Sequence, residues 1–420
     1  MSAMLKRLPL LLLILIAVIP TGNSHGPVTT KVTFNREVIR ILGRHCIACH
    51  SPGRIRQELP LTTYAEARPW AKAIKEEILN RRMAPFQAVK GFGLFQESHA
   101  LSQHEQDLLI SWIDGGAPKG DQKDYPLEEL SRIRPRVSQE STQSTEVADW
   151  PAGPPDLILE PRTEMVVAPG SGLVAQCVTL PVHNSAERWI GRIDFAPGQP
   201  GAVFNATFSI APRINARQRN NAGCAGSGKG QRRLEPLGEW VPGQPSIEWP
   251  AGMALRLPPN AEIVMTITYQ KGASRVTDRS RLALYFDSIF TSRSNPKVIE
   301  HLVLSAPIQN GRKADGGSSI KLTATLTVER EIVGIRPLLF PHGSSLEARL
   351  NRPDGSAEVL ILARGYKFDW QPTYFFRIPR PAQAGSVIDV TTYHDPAAKF
   401  EAGRPLCQIV TARPLVRHTR

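Results

Sequence analysis

The chain has 420 residues, 41% hydrophobic and 21% charged, which excludes a wholly disordered protein and leaves room for two or three domains. An excess of 51 Lys and Arg over 38 Asp and Glu gives a net charge of +13. No Lys/Arg block or basic–aromatic interleaving focuses that charge, which argues against nucleic acid and for a basic surface that attracts an acidic partner.

In chain order, Lys6 and Arg7 precede an apolar run, Leu8–Ile19, broken only by Pro9 and followed by the small residues Gly22 and Ser24. That order predicts a signal peptide over 1–24, cleaved before His25. The run is shorter than the about 20 residues that a spanning helix needs, so no membrane span is expected after cleavage. With no Cys at the cut, a lipid anchor is not expected either. The mature protein is predicted to be exported, either periplasmic or secreted.

Residues 46–50 read Cys46-Ile47-Ala48-Cys49-His50. This is the attachment pattern of a c-type haem, in which two thiols bond one porphyrin edge and the adjacent imidazole is the proximal iron ligand. A thioredoxin-like pair would follow a strand, and the residues before Cys46 do not read as one. A structural zinc needs a second ligand pair nearby, and none follows at short spacing. The expected cofactor is one haem c held by Cys46, Cys49 and His50.

A second axial ligand is then sought downstream. Of six Met, Met83 alone falls between His50 and Met165. It follows a predicted helix from about Tyr64 to Arg81, on a loop that Pro85 keeps from continuing as helix. Met83 is the expected sixth ligand. Its rivals are His45, which abuts Cys46, and His99 and His104, which flank a helix start and read as solvent-facing. Elsewhere in this region Phe34, Val38, Ile39 and Leu42 fall at helical spacing. Ser102 and Glu105 predict a capping box for a last helix carrying Leu108, Leu109, Trp112 and Ile113, stopped by Gly115-Gly116.

Several segments together resemble the cytochrome c domain fused to bacterial secreted oxidoreductases. They are Val32–Val38, Cys46–His50, Leu61–Tyr64, Trp70, Met83–Phe86 and Trp112–Pro118. Ala84 and Phe86 depart from the family's Met-Pro-Pro-Trp but keep the Met and the second Pro. The resemblance spans about residues 30–120 and implies a small all-α domain over 25–120.

Residues 121–150 form the expected linker, polar and rich in Ser, Thr, Gln and Glu, with a helical turn around Leu127–Ile133. From Asp156 the pattern changes to short alternating stretches broken by Pro and Gly. They include Leu173–Leu180, Val203–Ile210, Glu262–Tyr269, Leu282–Phe286, Ile320–Val328, Leu346–Leu350, Glu358–Leu362 and Val387–Tyr393. Such spacing predicts two all-β sandwiches, 151–296 and 297–420. The glycine-rich stretch 223–230 lacks the spacing of a phosphate-binding loop and reads as an exposed loop.

The segments Asp149–Leu157, Val276–Ser280, Ile335–Pro337 and Tyr366–Gln371 are similar to those of the copper type II, ascorbate-dependent monooxygenases. That family implies tandem jelly-roll-like sandwiches, each with one copper. Its ligand positions are not kept here. Phe204 and Asn205 stand in place of a His pair, Thr268 in place of the His of Ile-His-Tyr, and Leu338 and Phe340 where a further His pair belongs. His342 is shifted off those positions, and His183, His301 and His394 form no close pair with it. Copper needs several converging imidazoles, so none is expected, and the remaining His are read as surface or hydrogen-bonded residues. Of the other Cys, Cys177 and Cys224 belong to one presumed sandwich and their pairing stays open; Cys407 is left over.

The sequence thus predicts a multidomain chain, a small all-α cytochrome c domain followed by two all-β sandwiches. The expected role is one-electron transfer, with the β half a docking or scaffold domain for a redox partner protein, and no catalytic residue is assigned. The alternatives are a divergent haem-coupled monooxygenase with an unrecognised metal site, and an interaction protein whose haem is structural.

Overall fold

The computed structural model describes residues 29–80, 83, 88–89, 91–96, 101–128, 130, 150, 152–212, 234–244, 246–305, 319–339, 343–364, 371–394 and 405–416. The expected signal segment 1–24 lies outside the described residues, as do His99, Cys224, the stretch 223–230, Phe340 and His342. The described chain is mostly β-sheet, with a few short helices near its N-terminal end.

Thr33 is extended and starts a π-helical turn, Phe34–Val38, that runs into α1 (Ile39–His45). The next helical stretch has three parts: α2 (Tyr64–Ala67), a 3-10 turn (Arg68–Trp70) and α3 (Ala71–Leu79). Helix α3 ends at Leu79 with Asn80 as its cap, ahead of the predicted Arg81. The last helix, α4 (Gln103–Asp114), starts with the Ser102–Glu105 capping box expected from the sequence. A second capping box, Thr63 with Glu66, starts α2. Both satisfy backbone N–H groups that a helix start leaves without partners.

Apolar faces of these elements meet in one core that includes Phe34, Val38, Leu42, Leu109 and Trp112. The Phe34 ring lies 5.5 Å from Tyr64 and 6.0 Å from Trp112. Trp112 is fully buried, and its indole N–H donates to the Pro118 carbonyl at 3.0 Å. Gly115 caps α4, and a side chain there would collide with Thr30. Packing continues past residue 120, where the linker was expected to begin. Tyr125 lies against this core and Leu130 is inside it, 1% exposed. Leu127, Glu128 and Leu130 are helical; Ile133 lies outside the described residues.

The β half opens with β1 (Leu157–Leu159), β2 (Met165–Val167), β3 (Leu173–Pro181), β4 (Arg188–Ala196), β5 (Val203–Pro212) and β6 (Glu235–Trp240). Then come β7 (Ile247–Glu248), β8 (Met253–Leu257), β9 (Ala261–Gln270), β10 (Val276–Asp278) and β11 (Arg281–Phe286). The remaining strands are β12 (Lys297–Ser305), β13 (Ser319–Thr325), β14 (Arg330–Pro337), β15 (Gly343–Asn351), β16 (Ala357–Arg364), β17 (Tyr374–Ala382), β18 (Val387–His394) and β19 (Pro405–Pro414).

One nine-stranded sheet, in the order β1-β11-β4-β8-β12-β19-β14-β17 with β7 beside β4, runs through both sandwich layers. The four-stranded sheet β3-β9-β5-β6 covers a first core and β13-β18-β15-β16 a second. The join is the parallel pair β8–β12, where Val298 lies opposite Ala254. The expected division between 296 and 297 therefore falls where β12 enters the shared sheet.

Successive residues on a strand point to opposite faces. On β19, Ile409 enters the second core and Val410 the first. This part of the large sheet is thus covered on both faces.

A buried polar contact also crosses between the two halves. Glu239 on β6 accepts the Thr373 backbone N–H at 2.8 Å and its hydroxyl at 2.5 Å, and lies 3.6 Å from the Arg336 guanidinium on β14. Arg336 also donates to the Gln371 carbonyl at 2.9 Å.

Candidate cofactor site

Residues 46–50 form a tight turn directly off α1. The N–H groups of Cys46 and Ile47 donate to the Leu42 carbonyl at 2.8 and 2.9 Å, and that of His50 to the Cys46 carbonyl at 2.8 Å. Ile47 points into the helical core, 1% exposed. The turn is pinned downstream as well, because the Leu61 N–H donates to the His50 carbonyl at 3.0 Å.

His50 is buried and its Nδ1 lies 3.0 Å from the Leu59 carbonyl. A carbonyl only accepts, so Nδ1 carries the proton and Nε2 keeps its lone pair. A backbone carbonyl on the far nitrogen is the arrangement that orients a metal-ligating imidazole. Burial lowers the His50 pKa, which favours the neutral ring that coordination needs.

Cys46 and Cys49 are thiols. Burial, with lesser contributions from Cys49 and Glu105, pushes the Cys46 thiol up to about 12. Thiol–disulfide exchange needs a thiolate near neutral pH, which burial disfavours at Cys46. The donor set is then two thiols three residues apart and an imidazole with its Nε2 lone pair available. That set fits a covalently attached haem.

Helices α1 and α4 are fastened beside this turn. His45 Nε2 lies 3.1 Å from Glu105 Oε1, and Arg44 reaches the same oxygen at 3.2 Å. Burial pushes the Glu105 carboxyl up, but its bonds from Ser102 and His45 outweigh that and hold it below its ordinary value.

The expected sixth ligand and two of its rivals, His45 and His104, lie among the described residues. Met83 lies four residues past the end of α3, half-buried, with its N–H donating to the Glu77 carbonyl at 3.3 Å. His45 is engaged by Glu105, and His104 is exposed on α4.

In the β half, Phe204 is buried on β5 and Thr268 lies opposite Asn205 in the β5–β9 register. Leu338 is half-buried just past β14. His183 is exposed with φ 58°. His394 bonds Thr392 Oγ1 through Nε2 at 2.6 Å. His301 Nδ1 is 2.5 Å from Gln408 Nε2, while its Nε2 is buried without a hydrogen-bond partner. Burial, reinforced by the nearby Arg336 cation, lowers the His301 pKa to about 4. Among the described residues no three His, Cys, Asp or Glu are placed to hold a metal ion. Cys177 is disulfide-bonded, and Cys407 is a thiol buried in the second core.

Three features near the site escaped the sequence reading. The Leu59 carbonyl is a backbone group in a polar stretch and leaves no side-chain signal. Ala48 of the pentapeptide lies against Gly243, in the turn after β6, and Gly53 lies against Gly201, in the turn before β5. Residues 88–96 pair with the second sandwich: Ala88 bridges to Ala363 on β16 and Phe95 to Phe376 on β17. Phe92-Gly93-Leu94-Phe95 is a short apolar run without polar alternation, so it carried little signal for that pairing.

No family model and no curated protein matches this chain. Among solved structures, PNGF-II is similar at 8% identity and a TM-score of 0.26, over 62% of this chain and 66% of that one, just under two thirds. Allantoicase is similar at 10% identity and a TM-score of 0.18, over 59% of this chain and 80% of that one. The tandem CBM22-1–CBM22-2 domain of Paenibacillus barcinonensis Xyn10C is similar at 10% identity and a TM-score of 0.16, over 59% and 92%. At these scores none bears on function.

Proposed function

We propose that this chain is an exported c-type cytochrome, a one-electron carrier whose β half is a docking or scaffold module. The observation that carries the reading is the Cys46–His50 turn with His50 Nδ1 committed to the Leu59 carbonyl. Cys46 and Cys49 would form the thioether links, and His50 Nε2 and the Met83 sulfur would hold the iron. Bound there, haem c supplies a one-electron iron couple.

The residues around it have definable tasks in this reading. Leu59 fixes the His50 tautomer and ring direction. Buried Phe34, Leu42, Ile47 and Leu109 keep water from the site. A thioether at Met83 favours the ferrous state and raises the potential. The net charge of +13 favours an acidic redox partner. For the β half, the resemblance to copper monooxygenases is read as shared architecture without copper. Buried Phe204 and half-buried Thr268 and Leu338 stand where imidazoles are needed, and a metal ion beside such side chains would lack converging ligands.

The test is the haem linkage in protein expressed where c-type haem is attached. One haem per chain that survives denaturation and acidified organic solvent is the expected result. Haem that is extracted intact overturns the proposal. One or two equivalents of tightly held copper, lost on deleting 150–420 and accompanied by O₂-dependent hydroxylation, would replace it with the monooxygenase reading.

A further inference from the structure

The segment that follows Met83 belongs to the second sandwich. The Val89 N–H donates to the Leu362 carbonyl on β16 at 2.7 Å, and the Gln96 N–H to the Phe375 carbonyl on β17 at 2.7 Å. In return the Arg377 N–H donates to the Leu94 carbonyl, also at 2.7 Å. Strands β16 and β17 are the end strands of different sheets, so the described residues 88, 89 and 91–96 bridge the open edge of that sandwich.

Its side chains enter the core as well. Ala88 and Phe95 are each 8% exposed, and the Phe95 ring lies 5.0 Å from Phe376 and 5.4 Å from Tyr374. Gly93 has φ +80°, and a Cβ there would come within 2.6 Å of the Leu360 carbonyl. The chain passes too close to β16 for any larger residue.

We infer that the second sandwich positions the sixth iron ligand: by gripping residues 88–96 it holds Met83 at the haem. This rests on the reading of Met83 as that ligand. Four residues separate Met83 from Ala88, five Cα-to-Cα steps or at most about 18 Å of chain. On the other side Met83 is tied to α3 through its bond to Glu77. Both ends of its reach are thereby fixed, one by the helical region and one by the β half. Phe95 is a positioning residue, since it acts on the iron only through Met83.

The test uses the full-length haem-loaded protein. Added imidazole competes with Met83 for ferric iron, and the near-infrared Met–iron band reports the bound sulfur. In Phe95→Ala the apparent Kd for imidazole is expected to fall about tenfold, equivalent to about 1.4 kcal/mol, and the band to weaken. Phe95→Leu, which keeps an apolar anchor, should restore most of both. Arg377→Pro deletes the donor to Leu94 from a strand nearly three hundred residues away and should shift the Kd in the same direction by a smaller factor. It also decides the matter if Phe95→Ala does not fold. A wild type that shows the band, with folded variants that keep both band and Kd, overturns this inference alone. A wild type without the band, binding imidazole as tightly as Met83→Ala, overturns the Met83 reading and this inference with it.

Discussion

The helical region is assembled around α-helices of 4 to 12 residues, whereas the β half pairs nineteen described strands into sheets covered by two large cores. Helices that short are marginal in water and depend on what they pack against. Among the described residues that support is a core of fifteen buried side chains, against thirty and twenty-three in the two β cores. A core so small commonly needs a cofactor, a metal or a partner to hold it. The difference teaches where a bound haem would matter for folding: in the helical region, with the β half able to stand without it.

The largest expected effect breaks the comparison open. Changing Cys46 and Cys49 together to Ala should abolish covalent haem and with it most amide protection over residues 30–120. Metal and cofactor binding of this kind is folding free energy for the small domain that holds it. Hydrogen exchange on the same sample should find β9 and β19 as protected as in wild type. Strands that lose protection along with the helices would show that the two regions fold as one.

The second prediction sharpens the comparison from the β side. His301 has its Nε2 buried without a hydrogen-bond partner, and its pKa is lowered to about 4 from an ordinary 6.5. Between those values the unfolded chain takes up a proton that the folded chain refuses. Stability is therefore lost as pH falls from about 6.5 to about 4, by up to about 3 kcal/mol, and is regained on raising the pH. Denaturant unfolding of the β half at pH 7 and pH 4.5 measures it. His301→Gln should remove most of the slope; an unchanged slope would assign it to other groups.

How much was legible in the sequence follows the same division. The helical region announced itself through local signals: the pentapeptide, the Ser102–Glu105 box and the spacing of Phe34, Val38 and Leu42 all reappear in place. Strands β3, β5, β9 and β18 were legible because residues of mixed polarity interrupt their apolar ones. The sequence reading named none of β12, β14 or β19, which lie in the shared sheet. In Glu331-Ile332-Val333 and Ile409-Val410 neighbouring apolar residues serve opposite cores, which erases the period of two. The hold on residues 88–96 was hidden for another reason: its partners are more than two hundred and fifty residues away. In the site, His50 and the two Cys could be read directly, while the carbonyl that orients His50 could not.

The smallest expected effect asks whether the two regions melt separately. Ser102 Oγ accepts the Glu105 N–H at 3.2 Å and donates to Glu105 Oε2 at 2.9 Å, while the Ser102 N–H donates to that same oxygen at 2.9 Å. Ser102→Ala removes the first two bonds and keeps the third. Glu105 also retains His45 and Arg44 through its other oxygen, so the crossing of α1 and α4 survives. The expected cost is about 1 kcal/mol, the usual value of an N-cap. In a domain this small that corresponds to a fall in Tm of about 4–8 °C. Calorimetry of the haem-loaded protein should show the helical transition moving by that amount while the β transition stays within about 1 °C, since a cap on α4 touches neither β core. Two transitions that fall together would mean that residues 88–96 transmit stability as well as position. Phe95→Ala in the Ser102→Ala background should then uncouple them.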